Sequence, residues 1–504
     1  MGFITAYTNF KDAENDNYEI ENEERRKLLS GGIQANYGDV IIHSPSPTRG
    51  STVIEPVLLM FLLAKTLSDT VITNLLEYRT CRVLLELPHD NCTDPVSPNV
   101  EDLVQPTTAH IITGRALLEA FVPSCMAVLI GPWSDANGRK PFMVISLAGI
   151  SLTYFCWGCL SLLPNLHPYV FLLASLPMSL SGGSCAVYLL TYCYISDVTD
   201  EHTRSFRFSV IVVAEYCSMI IGTALGDLMV TFLPIHDPYF PVFFLSALLL
   251  MLIGCYTHWA IKESVDIQVD KKTRLFTFDH VSHLLSAAVK RRNGFAREMI
   301  FIIIISYTLG TFMNEGENTI TYLFVREKFS WQLTEYTEFN CFTRLTLGLG
   351  TLVGVWLLST VLGLSNMLAV TLLFTSYSLR SFLMAESTNS AEFYMAATVG
   401  SFVWCHSPLI RAELSCLVPK HDIGKMFAVA AFLQSLSPMA STPLYTSIYE
   451  FTFRNKPGAV FMFSCFLSAV NSMLTAFVFI GQKLVGDECY NTESPPEQII
   501  ENVD

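Results

Sequence analysis

Residues 131–140 read GPWSDANGRK, and this polar decapeptide lies between two long apolar runs, 108–130 and 142–163. It brings Asp135 and Arg139 together in a gap that is too short to be a domain. Apolar runs of about 20 residues are long enough to cross a bilayer as helices. The stretch therefore predicts a short loop between two membrane-spanning helices.

The glycines, the proline and the charges of this loop suit a turn between helices. Gly131 and Pro132 are expected to end the first helix, and Gly138 permits the chain to turn. Asp135 is suited to cap a helix N-terminus, where a carboxylate opposes the helix dipole. A capped loop with Lys140 and its neighbour as surface anchors is one interpretation, and a functional gate is the other.

The composition of the whole chain agrees with a membrane protein. Of 504 residues, 51% are hydrophobic and 15% are charged, and the mean hydropathy is +0.41. A soluble chain has about 25% charged residues. The net charge of −14 argues against nucleic acid as a partner.

Twelve apolar runs are long enough to span a bilayer, and only helices satisfy their own backbone in lipid at this length. The expected spans are 53–76, 108–130, 142–163, 170–194, 208–232, 240–261, 299–325, 335–359, 365–386, 392–415, 426–450 and 458–482. The fold class is therefore an all-α membrane protein. Its expected parts are a disordered cytosolic N-tail 1–52, a first six-helix bundle 53–261, a cytosolic central loop 262–298, a second six-helix bundle 299–482 and a cytosolic C-tail 483–504.

The Lys and Arg residues of the loops indicate the orientation. If both termini are cytosolic, the interior cytosolic loops carry fourteen Lys and Arg residues and the opposite loops carry six. Cytosolic loops are enriched in these residues. The bias predicts that both termini are cytosolic.

The loop 77–107 carries two features of a non-cytosolic face. Asn91 begins an Asn-Cys-Thr acceptor site for N-glycosylation. Cys81 and Cys92 flank the polar part of this loop, so a disulfide between them is plausible on a non-reducing face. Cys341, near the outer end of the eighth span, is a competing partner.

The pattern Gly-x-x-x-Asp-x-x-Gly-Arg-Lys between spans two and three resembles the signature loop of the major facilitator superfamily. The resemblance implies two six-helix bundles that Asp135 and Arg139 hold together on the cytosolic side, with Gly131 and Gly138 shaping the turn. We assign Lys140 to the same gate. Three residues in and after the fourth span join it: Asp197, Arg204 and Arg207.

Three further stretches resemble solute carrier family 46, the proton-coupled folate transporter family. They are SLSGGSCAVYLLTYCYISDVTDEHTRSFRF (179–208), IKES (261–264) and SPLIRAELSCLVP (407–419). The resemblance implies a proton-coupled transporter of organic anions. The folate-transporting branch uses a histidine in span seven, whereas residues 299–325 contain none, so Glu315, Glu317 or Asn318 would have to substitute. This departure weakens folate as the specific solute.

Carboxylates within the spans are candidates for proton binding, because an ionisable group in a membrane span usually faces a cavity or a partner. Glu215 in span five is the leading candidate, and a static salt bridge with Arg411 is the alternative. Glu315 and Glu317 lie about 200° apart around a helix, so both cannot face one narrow cavity. One is expected to bind a proton while the other pairs or reaches a helix break near Gly316.

Basic residues within the spans are candidates for binding the anion. Arg411 is permanently charged and can hold a carboxylate or phosphate through two hydrogen bonds, although a positive anchor at the cytosolic side is equally compatible. Arg344, Arg380 and Asn318 are further candidates. Arg115 and Glu119 lie four residues apart on one helix face and are expected to form an internal ion pair.

The N-terminal tail contains ENEERRKLLS (21–30). Glu24, Leu28 and Leu29 resemble an acidic dileucine signal, which clathrin adaptors read. The expected location is therefore an endosomal or lysosomal membrane, with the plasma membrane as the alternative.

Together these features predict a proton-coupled symporter that carries an organic anion into the cytosol. A non-transporting receptor or scaffold on the same fold is the alternative. An enzyme is the weakest hypothesis, since no Gly-x-Ser-x-Gly, His-Glu-x-x-His or Walker-type motif occurs. No cofactor and no metal site are expected, and the expected partners are the anion, protons and the lipid bilayer.

Overall fold

The computed structural model describes residues 54–88, 92, 98–232, 239–265, 295–331, 333–419, 422–452 and 456–485. All of them belong to the unit Thr52–Asp504. The proposed sorting residues Glu24, Leu28 and Leu29, the glycosylation candidate Asn91 and most of the central loop lie outside the described residues.

Six spans form the first half of the described chain, and all of them are helical. They are α1 (Glu55–Arg79, extended by a π-helical turn Thr80–Leu84), α2 (Pro98–Asn137), α3 (Lys140–Ser161), the fourth span in three pieces α4a (Tyr169–Ala174), α4b (Leu176–Leu180) and α4c (Gly183–Val198), α5 (Glu201–Phe232) and α6 (Tyr239–Ala260). Pro177 lies at the junction of α4a and α4b, because proline cannot donate the helical hydrogen bond.

Six more spans form the second half. They are α7 (Ala296–Phe329), α8 (Leu333–Val355, extended by a π-helical turn Trp356–Val361), α9 (Asn366–Glu386), the tenth span in two helices α10a (Ser390–Val399) and α10b (His406–Leu417), α11 (Ile423–Thr452) and α12 (Ala459–Val485). The twelve spans match the twelve apolar runs of the sequence.

The tenth span is interrupted, which corrects the expectation of one continuous helix over 392–415. A turn after Val399 and a short 3₁₀ segment, Val403–Cys405, separate α10a from α10b. Pro408 disfavours a continuous helix because its ring would clash with the carbonyl of Trp404. Eleven helices of the described chain are individually long and apolar enough to cross a membrane, and the two pieces of the tenth span supply the twelfth crossing.

Two other local expectations are wrong. The second helix does not end at Gly131 and Pro132 but runs through both to Asn137. Likewise α7 continues through Gly316 without a break. Membrane helices tolerate proline and glycine where neighbouring helices pack closely against them.

Helix packing follows the two halves of the chain. In the first half α1 packs against α5 and α6, and α3 packs against α6. In the second half α7 packs against α11, and α9 packs against α12. The halves meet where α2 contacts α11 and where α5 contacts α8 and α10b. Large apolar side chains such as Leu173, Leu349 and Phe466 remain about two-thirds exposed, as expected for helices that face lipid.

A disulfide joins Cys81 to Cys92, which are the two cysteines that flank the polar loop after α1. Cys341 is a free thiol, so the alternative pairing is not formed. The disulfide lies beyond the end of α1, whereas Asp135 lies near the opposite end of the returning helix α2. The two features therefore belong to opposite faces of the helical bundle.

Candidate functional site

Asp135 and Arg139 of GPWSDANGRK belong to a buried cluster. Arg139 is 1% exposed, and its Nη2 lies 2.6 Å from Asp135 Oδ1. Its Nε donates to Asp197 Oδ2 at 3.2 Å, and its Nη1 donates to Ser134 Oγ at 2.7 Å. Arg139 is therefore held by two carboxylates from different helices rather than extended as a surface anchor.

Asp135 also joins the two halves of the chain. Its Oδ1 accepts a hydrogen bond of 3.0 Å from the backbone N–H of Gly424, in the first turn of α11. The carboxylate thus caps the N-terminus of α11, whose first N–H groups have no partner within the helix. A hydrogen bond to a charged group contributes about 1.5–3 kcal/mol.

Close backbone packing at Gly131 accompanies this bond. A Cβ at Gly131 would lie 2.5 Å from the carbonyl oxygen of Gly424 and 2.5 Å from Ala428 Cβ, so α2 and α11 approach as only glycine allows. We call the ends of the helices that carry Asp135 and Gly424 the Asp135 face. The two halves are in direct contact there.

Glu263, which the sequence analysis did not single out, shapes the turn. Its Oε1 accepts from the backbone N–H of Arg139 at 2.8 Å and its Oε2 from that of Lys140 at 3.2 Å. It thereby caps α3 after the turn at Gly138, whose φ of +97° suits glycine. Ser264 Oγ donates to Asp197 Oδ2 at 2.9 Å. The IKES stretch was the available signal, but the backbone N–H groups that Glu263 caps lie more than a hundred residues earlier.

Arg204 forms a second contact between the halves at the Asp135 face. Its Nη1 donates to Ser415 Oγ on α10b at 2.8 Å. Arg207, by contrast, pairs with Glu55 of α1 at 2.7 Å, within the first half. Among the predicted gate residues, Asp135 and Arg204 form hydrogen bonds between the two halves. Arg139 pairs with Asp135 and Asp197 within the first half.

A side chain at Gly131 is expected to separate α2 from α11. We expect Gly131→Val to raise the labelling of Cys416, which lies 3.6 Å from Arg204 Nη1, by a maleimide several-fold. Peptide mass mapping measures the labelling. Gly254→Ala is the matched control, because its Cβ would lie 3.9 Å from its nearest neighbour. Unchanged labelling in Gly131→Val would contradict the role of this contact.

Arg411 lies in a cavity where the two halves meet. Its guanidinium lies 3.7 Å from the ring centroid of Tyr192 in the first half and 4.9 Å from that of Tyr307 in the second. It donates to Ser407 Oγ at 3.1 Å and to Gln434 Oε1 at 3.4 Å. Within the described chain, no carboxylate lies within ion-pair distance of Arg411.

The cavity beside Arg411 has a volume of about 40 Å³, which is room for about one water molecule. Its lining includes Tyr188, Tyr192, Tyr307 and Gln434. The cavity is therefore small, polar on the side of Arg411 and lined by both halves. A permanently charged guanidinium without a carboxylate partner is suited to receive an anion.

Glu215 lies next to this cavity. Its Oε1 accepts from the hydroxyl of Tyr188 at 2.9 Å, and Tyr188 lines the cavity. Glu215 is exposed and within electrostatic range of Arg411, but the static salt bridge between them is not formed. The geometry leaves Glu215 accessible beside a permanent positive charge.

The two carboxylates of α7 point in different directions, as their spacing predicts. Glu317 is 3% exposed, pairs with Arg380 Nη1 at 2.7 Å and accepts from Ser381 Oγ at 2.9 Å. Glu315 is half-buried, accepts from Asn314 Nδ2 at 3.2 Å and lies within electrostatic range of Glu215. The structure therefore places Glu317 and Arg380 together, away from the Arg411 cavity.

The remaining candidates lie outside that cavity. Arg344 Nε donates to Asn340 Oδ1 at 3.0 Å, and its Nη1 lies 3.0 Å from Met219 Sδ of α5. Asn318 is exposed. Neither residue lines the cavity beside Arg411.

A separate charge network lies inside the first half. Arg115 pairs with Glu119 at 2.9 Å, as predicted, and with Asp69 at 3.0 Å. Lys65 pairs with Asp69 at 2.7 Å. Two cations and two carboxylates compensate one another, which is how membrane proteins accommodate charges inside their spans.

The arrangement is that of a membrane transporter: two six-helix halves, closed on one face, with a charged cavity between them. Residues 91–442 match the Major Facilitator Superfamily. The chain belongs to this superfamily.

Similar proteins support the resemblance to solute carrier family 46. The chain is 27% identical to the probable peptidoglycan muropeptide transporter SLC46 of Drosophila melanogaster, over 92% of this chain and 93% of that protein. It is 24% identical to the proton-coupled folate transporter of Rattus norvegicus, over 84% and 90%. It is 21% identical to the lysosomal proton-coupled steroid conjugate and bile acid symporter SLC46A3 of Mus musculus, over 71% and 77%.

A solved structure shares the fold. The human organic anion transporter MFSD10 (TETRAN) superposes with a TM-score of 0.64 at 17% identity, covering 84% of this chain and 98% of that one. The fold and the relatives are those of transporters, not of receptors or enzymes. The predicted fold class and family resemblance are confirmed.

Proposed function

We propose that this protein is a proton-coupled symporter that carries an organic anion into the cytosol. The observation that carries the proposal is Arg411, a permanent cation between the two halves with no carboxylate partner within the described chain. Arg411 is half-buried, and a guanidinium in a membrane span is stable only if something offsets its charge. Two tyrosine rings do so in part, and a bound anion would complete the compensation.

The surroundings of Arg411 favour an anion that also carries a flat or apolar ring. The guanidinium offers hydrogen-bond donors to a carboxylate or phosphate, while Tyr192 and Tyr307 offer ring faces. Folates and steroid or bile-acid conjugates meet this description. Muramyl peptides supply the anionic group but carry a polar sugar ring, and the names of the relatives include all three classes. We propose that Arg411 is the first residue to contact the anion. Arg344, Arg380 and Asn318 lie outside its cavity, so we assign them only a supporting role in anion binding.

Glu215 is our leading proton-binding residue. It lies beside the cavity, is exposed and accepts one hydrogen bond from Tyr188. Burial of a carboxyl favours its neutral form, so closure of the cavity around Glu215 would favour proton uptake. Glu315 is the second candidate, because it lies within electrostatic range of Glu215. Glu317 is the least favoured of the three, because Arg380 already compensates its charge.

The Asp135 face serves as the cytosolic gate in this proposal. The pair Asp135–Arg139 and the bond from Gly424 would hold the cytosolic ends closed while the site opens to the opposite side. The two halves would then rock around the Arg411 cavity, as major facilitator transporters do around a site near the bilayer midplane.

We propose that both termini are cytosolic and that the protein resides in an endosomal or lysosomal membrane. The charge bias of the loops supports the orientation, and the disulfide Cys81–Cys92 on the other face fits a non-reducing compartment. Glu24, Leu28 and Leu29 support recognition by clathrin adaptors. Fluorescence microscopy of Leu28→Ala/Leu29→Ala tests the location, since an unchanged distribution would refute the signal.

Uptake of labelled solutes tests the proposed activity. Cells that display the protein on their surface are offered folate, a steroid sulfate, a bile acid and a muramyl dipeptide at about pH 5.5 and about pH 7.4. We expect one of these classes to enter faster at the acidic pH and to stop when a protonophore removes the gradient. Uptake that is equal at both pH values for every solute would contradict proton coupling.

A further inference from the structure

The interruption of the tenth span places a histidine in the interior of the second half. His406 is the first residue of α10b, directly after the 3₁₀ segment Val403–Cys405, and is 2% exposed. The rings of Phe374 and Trp404 lie beside it, with centroids 5.0 Å and 5.6 Å from the imidazole.

The hydrogen bonds of His406 define its protonation. Its Nδ1 lies 2.7 Å from the carbonyl oxygen of Val403. A carbonyl oxygen only accepts, so Nδ1 carries a hydrogen, and in the neutral ring Nε2 is a bare acceptor. This assignment follows from the partner, as it does for histidines generally.

The acceptor Nε2 has no partner within the described chain. It faces Gly310 of α7 so closely that a Cβ there would lie 2.9 Å from it. A buried polar atom without a partner is unfavourable and calls for an explanation. A nitrogen that receives a proton during the working cycle would provide one.

The charged groups around His406 determine whether a protonated imidazole is stable at this position. Arg411, five residues later on α10b, repels a second positive charge. The helices that contact the ring are α7, at Gly310, and α9, at Phe374; they carry the titratable groups Tyr307 and Tyr377, and Arg380 of α9 pairs with Glu317. The segment of α8 against the break, at Gly350 and Gly354, carries no charge. Tyr216 of α5 and Ser468 of α12 approach through Trp404 and Phe374 and are neutral.

A protonated His406 therefore does not fit the present packing. Its new N–H would point at the backbone of Gly310 without an acceptor, beside the positive charge of Arg411. Protonation would favour a different position of the break, in which Nε2–H reaches water or a carboxylate. Trp404 links this movement to the other half, because its ring contacts both His406 and Tyr216, the neighbour of Glu215.

We propose that His406 is a further proton-binding residue of the transport cycle, which accepts a proton at Nε2 when the break in the tenth span moves away from α7. The residue shares α10b with the proposed anion ligand Arg411 and contacts Trp404, which packs on the neighbour of the proposed proton carrier Glu215. Its protonation would thus link both events through one movable segment. This inference rests on the proposed symport.

His406→Asn tests the proposal, because the asparagine amide can still donate to the Val403 carbonyl but cannot take up a proton in this pH range. We expect the ratio of uptake at about pH 5.5 to that at about pH 7.4 to fall by about threefold or more. Solute exchange at equal pH on both sides should stay within about twofold of the wild type. If His406 had only a structural role, the substitution would lower this exchange as well. His258→Asn is the matched control, since His258 is exposed at the end of α6.

The outcomes separate this inference from the proposed function. If the wild-type protein shows no proton-driven uptake, the symport itself is wrong. If the wild type responds to pH and His406→Asn shows the same ratio, the role of His406 is overturned. If the asparagine variant is not displayed on the surface, His406→Gln is read by the same ratio, and a wild-type ratio there overturns the inference equally.

Discussion

Replacing Arg411 by alanine is expected to abolish solute uptake while leaving the amount of folded protein unchanged. The guanidinium has tyrosine faces and two neutral hydrogen-bond partners, so its removal leaves no unpaired carboxylate within the described chain. Loss of a charge-assisted interaction of about 3 kcal/mol with the anion corresponds to about a 100-fold loss of affinity. Initial uptake rates and surface biotinylation measure the two quantities.

Two variants sharpen this test. Arg411→Lys keeps the charge but not the planar fork, so we expect about tenfold weaker binding rather than complete loss. Arg380→Ala is the opposite case, because it leaves Glu317 buried and unpaired, and we expect little folded protein. Arg82→Ala, at an exposed residue, is the neutral control. Full uptake by Arg411→Ala would exclude Arg411 as the anion ligand.

Glu215→Gln is expected to uncouple transport from protons. The amide resembles a permanently neutral carboxyl and keeps an oxygen that accepts from Tyr188. We therefore expect uptake that no longer changes between about pH 5.5 and about pH 7.4, with solute exchange at equal pH retained. Wild-type uptake should rise as the pH falls, because the proton bound at Glu215 travels with the solute.

The control for this variant is Glu77→Gln, at an exposed carboxylate of α1. It should preserve the pH response completely. A normal pH response in Glu215→Gln would move the proton role to another carboxylate, of which Glu315 is the first to examine.

The parts of the fold that depend on local sequence were accessible without the structure. Runs of about 20 apolar residues predict helices in lipid, and the polar gap with Gly138 between two such runs predicts a turn between spans two and three. The 200° between Glu315 and Glu317 predicts that they diverge. These features depend on periodicity and hydropathy within a single segment.

The parts that depend on distant segments were not accessible. The partner of Asp135 is a backbone N–H that lies 289 residues away in the sequence. The tyrosines beside Arg411 come from α4c and α7, and no residue near Arg411 in the sequence indicates them. The break in the tenth span was missed because hydropathy stays high through it, whereas Pro408 and the close packing at Gly350 interrupt the helix.

Purified protein in liposomes provides the most direct test of proton-coupled symport. With a trapped pH dye, an inward proton gradient and one labelled anion from the active class, solute entry and proton entry are recorded together. We expect addition of the solute to start proton entry, and expect Arg411→Ala to prevent both. Solute entry without any solute-dependent proton entry would contradict the proposed mechanism.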